Sequence, residues 1–170
     1  MIDFDYLYKI IPKYRLEGCL ESRGCLCQTY TRPENLLPGE KEYLESHEGN
    51  DSKTFVFRDG LWFVDKCDCR RERETGCLPK TMRFITCISY PLYLWFEKIG
   101  KITVMIDRTC PLYEQITLRW VREMYDVAKY LEKNMDVRLY GKLLDDYCRK
   151  VYLFDKPEEI GYYRITEVKR

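Results

Sequence analysis

The chain has 170 residues, with 29 Lys and Arg against 28 Asp and Glu, nine Cys and a single His. This near-neutral balance lacks the basic footprint of a nucleic-acid or anionic-membrane binder, so neither is expected as a partner. One imidazole also disfavours Ser-His-Asp, Cys-His and His-rich zinc chemistry, and leaves thiol as the abundant reactive group.

At about 100–200 residues per domain the length predicts one domain over residues 1–170, able to bury about 70% of the surface its unfolded form exposes without help from disulfides. The opening stretch from Met1 to Tyr14 carries Asp3, Asp5, Lys9 and Lys13, unlike the basic head and unbroken apolar run of a signal peptide. No apolar run long enough to span a bilayer follows. The expectation is a cytoplasmic protein, where thiols stay reduced and structural disulfides are rare.

In chain order, Asp3 to Ile11 reads as a short amphipathic helix closed by Pro12. Leu37 to Ser46 reads as another, with Pro38 in its first turn and Glu40, Lys41, Glu42 and Glu45 facing solvent. His47 is expected in an exposed loop beyond it. Lys53 to Phe57 and Leu61 to Asp65 flank Asp59-Gly60, a strong hairpin signal, and Cys67 and Cys69 follow the second strand. Leu92 to Phe96 and Lys101 to Ile106 form a second pair across Gly100, and Cys110 follows it.

After Pro111 the pattern changes. Ile116, Val121, Met124, Val127, Ala128 and Leu131 recur at helical spacing. Tyr140, Leu143, Leu144, Tyr147, Cys148 and Val151 repeat it, and a short strand is expected from Tyr162 to Val168 beyond Pro157. The fold class is therefore expected to be α+β: a cysteine-rich region over residues 18–111 with two β-hairpins and short helices, then a helical packing region over residues 112–170.

The thiols divide as eight plus one. Cys19, Cys25, Cys27, Cys67, Cys69, Cys77, Cys87 and Cys110 lie within the first region, whereas Cys148 stands on the apolar stripe of a predicted helix. Eight thiolates would satisfy two tetrathiolate sites or one polynuclear site, for zinc or for an iron–sulfur cluster. In Cys25-x-Cys27 and Cys67-x-Cys69 the alternation of an extended chain turns both sulfurs of a pair to one side. None of the local pairs is a C-x-x-C knuckle, so spacing leaves the metal open. A reduced cysteine is also a small buried hydrophobe, the reading preferred for Cys148.

The order of these landmarks resembles the CxxCxxCC domain family of zinc- or iron-chelating proteins, the YkgJ-like family, to which flagellin lysine N-methylase also belongs. The matching pieces are the group Cys19, Cys25 and Cys27, the helix start Leu37-Pro38-Gly39-Glu40, then Cys67 or Cys69, Gly76-Cys77, the run from Arg83 through Cys87 to Tyr90-Pro91, and Cys110-Pro111. Where the family has adjacent cysteines this chain has Cys25-Leu26-Cys27, and Lys80-Thr81-Met82-Arg83 replaces the usual Arg-Pro. The resemblance implies an iron–sulfur cluster protein, acting in electron transfer or in a redox-linked modification reaction of oxidoreductase or methyltransferase type, with a redox or protein-substrate partner. Arg83 is then the basic residue expected beside the cofactor, offsetting thiolate charge.

The contrasting expectation is a zinc-stabilised interaction module, because four thiolates close the zinc shell and leave no open position for catalysis. No Gly-x-Gly occurs, so neither a dinucleotide fingerprint nor a phosphate-cradling loop is present.

Overall fold

The computed structural model describes residues 1–12, 34–47, 53–67, 84–108, 110, 112–152 and 162–164. They form an α+β fold of two three-stranded antiparallel sheets covered by helices.

Helix α1 (Phe4–Ile10) starts where the Asp3 carboxylate accepts the Tyr6 N–H at 3.0 Å, and stops where Ile11 turns extended ahead of Pro12. Its buried side chains, Phe4, Leu7 and Tyr8, are joined by Ile11 at three- and four-residue spacing.

The first sheet has the order β1 (Glu34–Asn35), β3 (Leu61–Cys67), β2 (Lys53–Arg58). Asp59 and Gly60, both at positive φ, make the tight turn whose twist matches the flanking strands. A bulge between Thr54 and Phe55 shifts the register before Lys53 meets Cys67 at the open end.

Helix α2 (Glu40–His47) starts later than the sequence predicts. Gly39 has a φ of +88°, which a right-handed helix does not accommodate, so Pro38 and Gly39 form a turn ahead of the helix and not its first residues. The helix in turn runs through His47, which is therefore its last residue and not part of a loop. Glu40 is a second correction: it is fully buried and does not face solvent.

The second sheet has the order β4 (Leu92–Phe96), β5 (Ile102–Asp107), β6 (Tyr162–Arg164), with β5 central. The one-turn helix α3 (Ile85–Ser89) precedes β4, and a 3₁₀ turn over Tyr113–Gln115 follows β5. Of the strand expected over residues 162–168, 165–168 lie outside the described residues.

Helix α4 (Leu118–Asn134) is capped by Thr117, whose hydroxyl accepts the Trp120 N–H, and buries Val121, Met124, Val127, Ala128 and Leu131 against β5. Burial of each such larger side chain contributes about 1.5–3 kcal/mol. On its far side, Tyr130 joins α4 to α1 reciprocally: its hydroxyl accepts the Asp3 N–H at 2.8 Å and donates to the Asp3 carbonyl at 3.1 Å.

Helix α5 (Val137–Tyr152) reaches both sheets. Tyr147 packs on Phe63 of the first, and Tyr140 meets Phe96 of the second edge-on. The Tyr140 hydroxyl donates to the Leu36 carbonyl at 2.7 Å and accepts from the Asn35 side chain at 3.0 Å. Charged side chains fasten the same helix to both hairpin turns: Asp145 pairs with Lys98 and Arg149, and Lys150 pairs with Asp59. Burial opposes ionisation of Asp145, but hydrogen bonds and charge from Lys98 and Arg149 prevail and hold its carboxyl below the usual range.

Candidate metal centre

Three of the eight candidate thiol positions fall on described backbone: one ends a strand, one lies inside a one-turn helix and one lies in the turn beyond a strand. Cys67 is the last residue of β3, at the end of its sheet opposite the Asp59-Gly60 turn. Cys87 is the third residue of α3, just ahead of β4. Cys110 is buried beyond β5, its N–H donating to the Asp107 carbonyl at 3.3 Å and its carbonyl accepting the Tyr113 N–H at 3.1 Å. Cys19, Cys25, Cys27, Cys69, Cys77 and Arg83 lie outside the described residues.

The segments carrying Cys87 and Cys110 meet at one end of the second sheet. Asp107 donates its N–H to the Pro91 carbonyl at 2.9 Å, and the Tyr90 hydroxyl donates to the buried Asp107 carboxylate at 3.1 Å. Helix α3 also reaches the first sheet, because the Thr86 hydroxyl donates to the Asn35 carbonyl at 3.3 Å and Asn35 is paired with Phe63 of β3.

Glu40 fastens a third stretch to this junction. One carboxylate oxygen accepts the Leu37 N–H at 2.9 Å, and the other accepts the Ile85 N–H at 2.6 Å and the Tyr8 hydroxyl at 3.1 Å. Sequence reasoning treated Glu40 as a solvent-facing helix charge. The available signal was the three-residue step from Leu37 to Glu40, across which a glutamate can reach back to a backbone N–H, here that of Leu37 ahead of the Pro38-Gly39 turn.

Among the described residues, no group of three or more His, Cys, Asp or Glu side chains is placed to hold a metal ion. The donor set that suits zinc or iron–sulfur is the thiol series, of which five members lie outside those residues. His47 is exposed, its ring on Tyr43 at 4.2 Å and its Nδ1 at 2.9 Å from both the Tyr43 carbonyl and the Ser46 hydroxyl.

Cys148 sits half-buried on α5, where burial first and the charge of Asp145 second push its thiol up to about 11. At pH 8 its thiolate fraction is then about a hundredfold below that of an ordinary thiol, and alkylation by iodoacetamide should slow by about that factor relative to denatured protein. Peptide mass spectrometry over a pH series checks this. Because folding raises this pKa from 9.0 to about 11, the neutral thiol's share of stability is fully present below about pH 9 and is lost as the pH rises through about 11.

Comparison of the chain with family models, with curated proteins and with solved structures gives no match. No helix among the described residues is long and apolar enough to cross a membrane.

Proposed function

We propose that the chain is a cytoplasmic metal-binding protein that carries an iron–sulfur cluster on the thiols of Cys19, Cys25, Cys27, Cys67, Cys69, Cys77, Cys87 and Cys110 and serves electron transfer or a redox-linked modification reaction. The observation that supports this reading is convergence. Leu37 to Glu40, the segment ending at Tyr90-Pro91 and the turn at Cys110 are far apart in sequence, yet hydrogen bonds fasten all three around α3. These are three of the landmarks on which the family resemblance rests.

When bound, such a cluster supplies one-electron chemistry at a potential set by charge, hydrogen bonds to sulfur and solvent exposure. The chain's own contribution is to hold the cysteine-bearing turns: Asp107 anchors the one at Cys110, and Glu40 the helix at Cys87. Arg83 is the candidate for offsetting thiolate charge, and an acidic redox partner or a protein substrate is the expected partner class.

Anaerobic purification with elemental analysis and visible absorption tests the proposal. The expected result is coloured protein containing iron and acid-labile sulfide, with Cys87→Ser removing about half or more of the metal and Cys148→Ala removing none. Colourless protein with stoichiometric zinc and no iron would replace the cluster by a closed structural zinc site in a non-catalytic interaction module. Protein free of any metal would end both readings.

A further inference from the structure

Helix α3 does not hold its place by its own sequence. It has five residues, three of them the β-branched Ile85, Thr86 and Ile88, and its cap residue Phe84 offers no side-chain hydrogen bond to the first turn. One isolated turn is unfavourable in water, because nucleating a helix fixes several dihedrals for a single hydrogen bond.

Its first N–H is instead capped from a distant part of the chain. The Ile85 N–H donates to Glu40 Oε1, 45 positions earlier, at 2.6 Å. Glu40 is 0% exposed. Burying a carboxylate costs several kcal/mol unless donors compensate it, and here the Leu37 N–H and the Tyr8 hydroxyl join Ile85 in doing so. A glutamine cannot take over both sides, since its amide nitrogen is a donor and would face a donor N–H.

We infer that Glu40 is a positioning residue for the metal centre: it sets the start of the helix that carries Cys87 and thereby where the backbone of that candidate ligand lies. The inference rests on the metal-binding reading and adds to it a residue that is not a ligand. A purely architectural glutamate would affect metal only through overall stability, whereas a positioning one affects metal beyond it.

The test compares Glu40→Gln with Val127→Ala, a core truncation in α4 away from the cysteines, at temperatures chosen to match their unfolded fractions. Release of bound metal to excess EDTA is followed by elemental analysis. Glu40→Gln should release metal about tenfold faster than the control, the size typical of residues that support a metal ligand. Equal rates would overturn the inference while leaving the metal reading intact, and wild-type protein purified without metal would overturn both.

If Glu40→Gln does not fold, the wild type supplies the measurement by reciprocity, since a contact that stabilises the bound metal is itself stabilised by it. Removing the metal should then speed amide exchange at Ile85 about tenfold more than at Met124 in α4. The same factor at both amides would overturn the inference.

Discussion

Gly141→Ala should destabilise the protein by about 1–3 kcal/mol, although the substitution replaces glycine by the best helix former. Gly141 lies in the first half of α5. A Cβ there would come within 2.7 Å of the Phe96 carbonyl oxygen and 3.0 Å of the Glu97 carbonyl carbon, both backbone atoms at the end of β4. Helix propensity alone would favour alanine by about 1 kcal/mol. The steric effect prevails because no side chain can rotate away: either α5 lifts from the strand or the β4 end moves, and Tyr140 and Leu144 lose packing with it. Chemical denaturation compares the two forms. A midpoint equal to or above wild type would show that the close approach does not govern this position.

Tyr140→Phe, a change of one oxygen atom, should destabilise by about 2–4 kcal/mol. The hydroxyl serves the Leu36 carbonyl and the Asn35 amide, next to the short strand β1. Both sit at the approach to α2, so the loss leaves two polar groups unpaired, with the Leu36 carbonyl in a site closed to water, at about 1–3 kcal/mol each. Burial, the main cause, pushes the phenol's pKa well above its ordinary value of 10, so the neutral donor form holds throughout the physiological range. The deficit should accordingly be constant from pH 6 to pH 8. Denaturation midpoints across that range check it, and a deficit that varied with pH would point to another cause.

The elements that carry their own instructions are the ones legible in the sequence. The Asp59-Gly60 hairpin and helix α4 read correctly because turn chemistry and three- and four-residue spacing act within a few residues. Helix α5 begins at Val137, three residues ahead of the apolar repeat that announces it, with the Asp136 carboxylate accepting the Leu139 N–H.

What was not legible depends on partners far along the chain. The run Ile85 to Ser89 has the composition of a strand, and the acceptor for its first N–H, Glu40, lies 45 positions earlier. Strand β1 is two residues long and exists through pairing with Val64 and Phe63. Glu40 itself looked like a surface charge because nothing nearby in sequence announces Tyr8 and Ile85 as donors. As a candidate, the site was legible only as an ordered series of thiols, five of them outside the described residues. The burial of Asp107, and its acceptance of the Tyr90 hydroxyl, was not, since it requires the second sheet to be assembled.

The grip of α5 on both hairpin turns also has a consequence in time. At about 5–20 residues per second, the 45 residues from the end of β5 at Asp107 to Tyr152 take a ribosome about 2–9 s to add. Until Tyr140, Asp145, Tyr147 and Lys150 are added within that stretch, Phe96 and Phe63 lack the tyrosines that cover them and neither turn has its ionic fastening. Both hairpins are thus synthesised before the helix that fastens their turns and covers Phe63 and Phe96, so the nascent chain passes through a stage in which those apolar faces are open.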